Sequence, residues 1–152
     1  MNEHFRLATS AIPALFAELN ESPLLPYGNA TIPRHTPGVY AFFRNGVPVH
    51  VGRTRDLRNR LQNHITPRHN SASFAFKQAR LSLGAKASYT TKGSRADLAK
   101  EPIFAAEFLR QIELVRSGQF RYAQVADPVE QYLLELYAHM EYGLPLDEFE
   151  TH

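Results

Sequence analysis

The chain has 152 residues, 43% of them hydrophobic and 11% aromatic, which excludes a disordered polymer and suits one domain with one sizeable core. It has no cysteine, which excludes disulfides and thiolate metal sites; no run nears the roughly 18 apolar residues of a membrane span; and the N-terminus MNEHFRLATS lacks an unbroken apolar signal core, so the expected setting is the cytoplasm, without a membrane partner. The net charge of +2 is unevenly spread: residues 44–100 carry twelve Lys/Arg against two acids, and 127–152 carry seven acids and no Lys or Arg, so the middle suits an anionic partner unless the two halves pair with each other.

Residues 4–20 carry apolar positions at Phe5, Leu7, Ala8, Ile12, Leu15 and Phe16 and predict helical turns, with Pro13 opposing one unbroken helix. Residues 22–38 hold four prolines and predict an irregular, extended connection. GVYAFF (38–43) and VPVHV (47–51) flank Asn45-Gly46 and predict a β-hairpin. A helix is expected over 55–65, with Leu57, Leu61 and Ile65 in one stripe. A second is expected over 72–83, then a Gly/Ser/Thr/Lys-rich loop over 84–100. Pro102 opens and Gly118 follows a helix over 102–116. FRYAQVA (120–126) predicts a third strand, and Asp127-Pro128 caps a helix that Gly143 and Pro145 stop.

The expected fold is therefore α+β: a small three-stranded, mainly antiparallel sheet flanked by helices. The order is β-β-α, a helical insertion over 66–118, then β-α, with residues 1–37 as a helical and Pro-rich extension of a single domain 1–152.

Chemistry concentrates around HVGRTRDLRNRLQNH (50–64). Tyr40 lies on the first hairpin strand and His50 on the second, Gly52 lets the backbone turn, and Arg60 and His64 stand one helical turn apart beside the apolar stripe. A two-residue turn, unless a bulge compensates, would put Tyr40 and His50 on opposite faces. A three-residue loop, Arg44-Asn45-Gly46, pairs 40 with 50 and puts both on one face; that loop is the expectation. On the last helix the apolar face is Val129, Leu133, Leu136, Tyr137 and Met140. By that pattern Glu135 faces solvent with Gln131, Ala138, His139 and Tyr142. No zinc spacing, Gly-rich nucleotide loop or serine elbow occurs.

GVY at 38–40, HVG at 50–52 with ten residues from Tyr40 to His50, and an arginine eight residues past Gly52 resemble the GIY-YIG nuclease superfamily. The likeness covers 38–65 well and 120–149 moderately. It implies a metal-dependent endonuclease that hydrolyses nucleic-acid phosphodiesters, DNA first among them, with one Mg²⁺ or Mn²⁺ ion. It places Tyr40 at the first-motif tyrosine, Gly52 at the second-motif glycine, Arg60 at the catalytic arginine, His64 at a histidine of some members and Glu135 at the metal-binding carboxylate, with Glu130 as fallback. Arg53 stands where many members have lysine. Arg53, Arg55 and Arg58 add phosphate-binding charge, although Arg55 and Arg58 also suit a plain solvated helix face. The chain departs from the pattern at His50, where the second motif has tyrosine, and at Asp147, where some members have asparagine. The resemblance favours Tyr40 as base, with His50 orienting water or relaying the proton; intrinsic basicity favours His50. Two other functions fit the same charge: a non-catalytic nucleic-acid-binding module of this fold, and a module docking an acidic protein. A protein partner supplying specificity fits so short a chain.

Overall fold

The structure is a computed structural model that describes residues 1–29, 31–84 and 94–147. The chain forms two compact units, Met1–Arg60 with Gly118–His152, and Leu61–Ser117. The class is α+β with a four-stranded antiparallel sheet. Among the described residues no helix is long and apolar enough to cross a membrane.

In the first unit, β1 (Leu25–Pro26), β2 (Gly38–Arg44), β3 (Val47–Thr54) and β4 (Gln119–Gln124) lie in the order β1-β4-β2-β3. The three expected strands are present. The fourth, β1, comes from the Pro-rich stretch that otherwise runs irregularly. Its two residues pair with the start of β4, and so short an edge strand loses little to its proline. β2 is central and buried from Gly38 to Phe43. Gly38 is there because β2 and β4 approach closely: a Cβ would collide with the Ala123 carbonyl and come within 2.8 Å of Leu57 Cδ1.

The hairpin loop differs from the expectation. Arg44 pairs with Val47, so the turn has two residues, Asn45 and Gly46, both with positive φ (53° and 78°). Phe43 then pairs with Pro48, but Phe42 pairs with His50, leaving Val49 as a bulge. Pro48 has no N–H for the ladder, and a bulge on an edge strand accommodates that loss. The bulge restores the parity that the short turn would have reversed. Tyr40 pairs with Gly52 instead of His50, and Tyr40 and His50 still share a face.

The opposite face carries Val39, Ala41, Phe43, Val51 and Ala123 into the main core. There it meets Ile12 and Leu19 of α1 (Glu3–Glu21) and Leu134 and Ala138 of α6 (Pro128–Glu141). Asp127 caps α6 by accepting from the Glu130 N–H, and Gly143 with φ 68° follows its end.

α1 runs unbroken through Pro13, contrary to the expectation. Asn2 caps it by accepting from the Phe5 N–H, and its buried stripe packs on the core, so tertiary burial outweighs one missing backbone bond. Pro13 is exposed. Pro13→Ala restores an N–H for the Thr9 carbonyl and should raise stability by about 1–3 kcal/mol, the interior-proline penalty less the gain in unfolded-chain entropy, read as a higher urea midpoint at unchanged slope.

The second unit holds α3 (Ser73–Leu83), α4 (Arg95–Lys100) and α5 (Pro102–Ser117) around Ala72, Ala75, Phe76, Ala79, Phe104, Phe108 and Ile112. The loop expected over 84–100 is partly helix. Ser94 accepts from the Asp97 N–H and caps α4, a Ser-x-x-Asp start within a loop-like composition. Residues 85–93 of that loop lie outside the described residues.

Candidate active site

Tyr40 organises the site. Its ring lies across Gly52, its partner on β3: a Cβ there would overlap the Tyr40 hydroxyl and Cζ and reach 2.9 Å from Cε1. The side chain is fully buried, with ring centroids 5.4 Å from Phe42 and 5.9 Å from His50. Arg60, on α2 (Leu57–His64), donates a hydrogen bond to the Tyr40 hydroxyl. Leu57, fully buried, anchors that helix, and its N–H donates to the Thr36 carbonyl at 2.8 Å.

Burial pushes the Tyr40 hydroxyl up to about 12; the charge and hydrogen bond of Arg60 pull it down, and the charge of Glu135 pushes it further up. At neutral pH Tyr40 is therefore a protonated phenol, poorly suited to remove a proton and well suited to hold a neighbour in place. The unfolded chain, near 10, ionises first as pH rises. The contribution of Tyr40 is thus complete below pH 10 and lost as pH climbs through about 12. Two pH units of separation correspond to about 2–3 kcal/mol. Tyr40→Phe should flatten the fall in stability between pH 10 and 12, measured by urea unfolding at each pH against wild type.

Glu135 is fully buried, against the solvent-facing position expected from periodicity. The buried residues of α6 are Gln131, Leu134, Glu135, Ala138 and His139, whereas Leu136 is 37% and Met140 65% exposed. Apolar counting failed because the buried polar groups are satisfied from nearby. Gln131 Nε2 donates to the carbonyls of Val125 (2.6 Å) and Thr54 (3.3 Å), and His139 Nδ1 donates to the Glu135 carbonyl at 2.8 Å. Arg53 Nε stands 3.3 Å from Glu135 Oε2, with the guanidinium 3.7 Å above the Tyr132 ring. Arg53 thus balances a buried carboxylate and is itself held by an aromatic face.

Tyr40, His50, Gly52, Arg53, Arg60 and Glu135 are linked by these contacts within the first unit. Arg55 donates Nη1 to the Ala126 carbonyl at 2.9 Å and helps tie the β3–α2 turn to the start of α6. Arg58 is exposed on α2. Glu130, the fallback ligand, is half-buried in the first turn of α6. His64 ends α2, fully buried, and belongs to the second unit. Four residues escaped the sequence reasoning as site residues. Tyr132 seats Arg53, and Gln131 and His139 line the Glu135 face. Tyr27, between prolines, follows β1 in a short 3₁₀ turn (Tyr27–Asn29). Its hydroxyl is pushed up by burial and by Tyr40 and pulled down by Arg60. The spacing of Gln131, Glu135 and His139 at i, i+4, i+8 was the legible signal for the α6 group; Tyr27 carried none.

Among the described residues no three His, Cys, Asp or Glu side chains gather as metal ligands. The donor set is one carboxylate, Glu135. That chemistry fits a hard divalent ion keeping water and phosphate oxygens as its other ligands, and does not fit an ion that needs a protein cage. Comparison with protein-family models, with curated proteins and with solved structures returns no match.

Proposed function

We propose that the protein is a divalent-metal-dependent endonuclease acting on DNA phosphodiesters, a small GIY-YIG-type nuclease with histidine in place of the second-motif tyrosine. The observation that carries the proposal is the Gly52–Tyr40–Arg60 arrangement: a tyrosine seated on a side-chain-free strand position with an arginine bonded to its hydroxyl. A purely structural tyrosine needs neither the glycine nor the guanidinium. The antiparallel β2–β3 hairpin followed by α2, with β4 and α6 later in the chain, agrees with the order of elements in that superfamily.

Arg60 bonds the Tyr40 hydroxyl, and its planar guanidinium, with five N–H donors in all, is the group that would meet phosphate oxygens. Tyr40, protonated, orients Arg60 and can donate to an attacking water or a phosphate oxygen. His50, on the same face, is the better-poised proton acceptor. Glu135 would hold Mg²⁺ or Mn²⁺, with Arg53 as its counter-charge in the absence of the ion. When bound, such an ion offers positive charge to a phosphate that gains negative charge during displacement.

The test incubates the protein with single-stranded, duplex and branched DNA, and with RNA, in Mg²⁺, Mn²⁺ or EDTA. Cleavage that needs the ion and is absent in a Glu135→Ala preparation supports the proposal; no cleavage of any substrate overturns it. The closure of Arg53 onto Glu135 favours one second reading, a nucleic-acid-binding module without catalysis. It predicts salt-sensitive binding, with affinity falling about 10²-fold between roughly 50 and 200 mM salt for four phosphate contacts, and no cleavage.

A further inference from the structure

The second unit contains a cavity of about 460 Å³ whose lining includes Ala105, Phe108 and Leu109 on the apolar side and Arg68, His69 and Asn70 on the polar side. Its volume falls within the roughly 300–1,000 Å³ of small-molecule sites. Most of the wall is apolar, and the polar groups are consecutive: Arg68, His69 and Asn70. Arg68 and Asn70 are exposed, and His69 Nδ1 is a buried nitrogen without a hydrogen-bond partner among the described residues.

Arg95 stands beside this rim, and Arg80 stands close to Arg95. Arg95 Nη2 donates to the His69 carbonyl at 2.6 Å, and its guanidinium lies 4.7 Å from the Phe76 ring centre. Arg80 approaches the same ring at 5.7 Å. Partial burial disfavours the Arg95 charge relative to a free side chain, and repulsion from the Arg80 guanidinium adds to that cost. Among the described residues neither these two nor Arg68 forms an ion pair with an acid. The Phe76 face relieves part of the repulsion, and an anion would relieve the rest.

We propose that this cavity binds a nucleotide: the flat base against the apolar wall, Asn70 and His69 at its hydrogen-bonding edge, and the phosphate among Arg68, Arg95 and Arg80. An apolar slot with an amide at its rim suits a heterocycle. Three cations without carboxylate partners suit a phosphate. The site is assembled within the second unit and does not depend on the Tyr40 site or on its chemistry. The same ligand chemistry comes from a free mononucleotide or from one residue of a single strand.

The test measures binding in EDTA, by calorimetry with AMP, UMP, adenosine and inorganic phosphate, and by fluorescence anisotropy with a labelled single-stranded octanucleotide. AMP or UMP should bind at least ~10-fold more tightly than adenosine or phosphate alone, because base and phosphate are held together. Arg68→Glu and Asn70→Ala, both at exposed positions, should each weaken binding with the circular dichroism unchanged. Comparable affinity for mononucleotide and octamer identifies a free nucleotide as ligand. A much tighter octamer, whose salt slope shrinks by about 1 in Arg68→Glu, identifies a nucleotide within a strand. The proposal is overturned if neither ligand binds, if phosphate alone binds as tightly as AMP and UMP, or if both variants bind like wild type.

Discussion

On the proposed nuclease function, Arg60→Ala should cleave DNA about 10²–10³-fold more slowly than wild type under single-turnover conditions, the usual cost of removing one well-placed donor from developing charge. Two consequences separate this role from mere support. Alanine leaves the buried Tyr40 hydroxyl without its Arg60 partner, which by itself costs about 1–3 kcal/mol of stability. A support role therefore predicts a lower unfolding midpoint with a rate that recovers once the variant is fully folded. A phosphate-binding role predicts that the rate defect persists in the folded protein. Arg60→Lys keeps the charge but loses the planar pair of donors, so it should recover only part of the lost rate. Millimolar guanidinium, too dilute to unfold the chain, should restore some activity to Arg60→Ala and none to Glu135→Ala. A folded Arg60→Ala that cuts within about threefold of wild type would remove Arg60 from the chemistry, being far short of the loss a lost charge-stabilising donor produces.

The elements nearest this site were legible where local chemistry decided them. Asn45-Gly46 announced the hairpin, and both residues do adopt positive φ. Asp127-Pro128 announced the start of α6, and the cap is formed. The two-residue turn with a compensating bulge replaces the expected three-residue loop because Pro48, which has no N–H for the ladder, favours a bulge further along β3 that corrects parity. Pro13 does not break α1 because Ile12 and Leu19 are buried by contacts distant in sequence, which local propensity does not register. The inversion of α6 has a related cause. Apolar periodicity assumes that buried positions are apolar, but Gln131, Glu135 and His139 find donors and acceptors in the backbone and in Arg53, so a polar stripe became the interior. A stripe of three polar residues at helical spacing beside partly exposed leucine and methionine is informative in its own right. Its burial then follows only if partners exist, and those lie on β3, in the turn before α6 and on the α6 backbone itself. Tyr27 lay beyond such inference, since its neighbours Phe42 and Phe120 are reached only through the tertiary fold.

Gly52→Ala should have the opposite sign to the usual effect of this change in a strand. Replacing glycine within a strand ordinarily gains about 0.5–1 kcal/mol through reduced unfolded-state entropy. Here the new methyl group enters space already filled by the Tyr40 ring, whose hydroxyl and Cζ it would overlap. The ring has nowhere to retreat: it is fully buried, bounded by Phe42 and His50, and bonded to Arg60. The expected cost is about 3 kcal/mol, the upper end of overpacking, and the displaced hydroxyl should lose its bond to Arg60. A double-mutant cycle assigns the cause. Tyr40→Ala removes the obstacle at its own cost of about 3–5 kcal/mol, so adding Gly52→Ala to it should cost almost nothing further. Urea unfolding of the four proteins reads the coupling directly. If the two losses simply add, Gly52 serves the backbone alone and Tyr40 is an ordinary core aromatic. If they cancel, the glycine exists to seat the tyrosine, and the geometry on which Arg60 depends is set by an absent side chain.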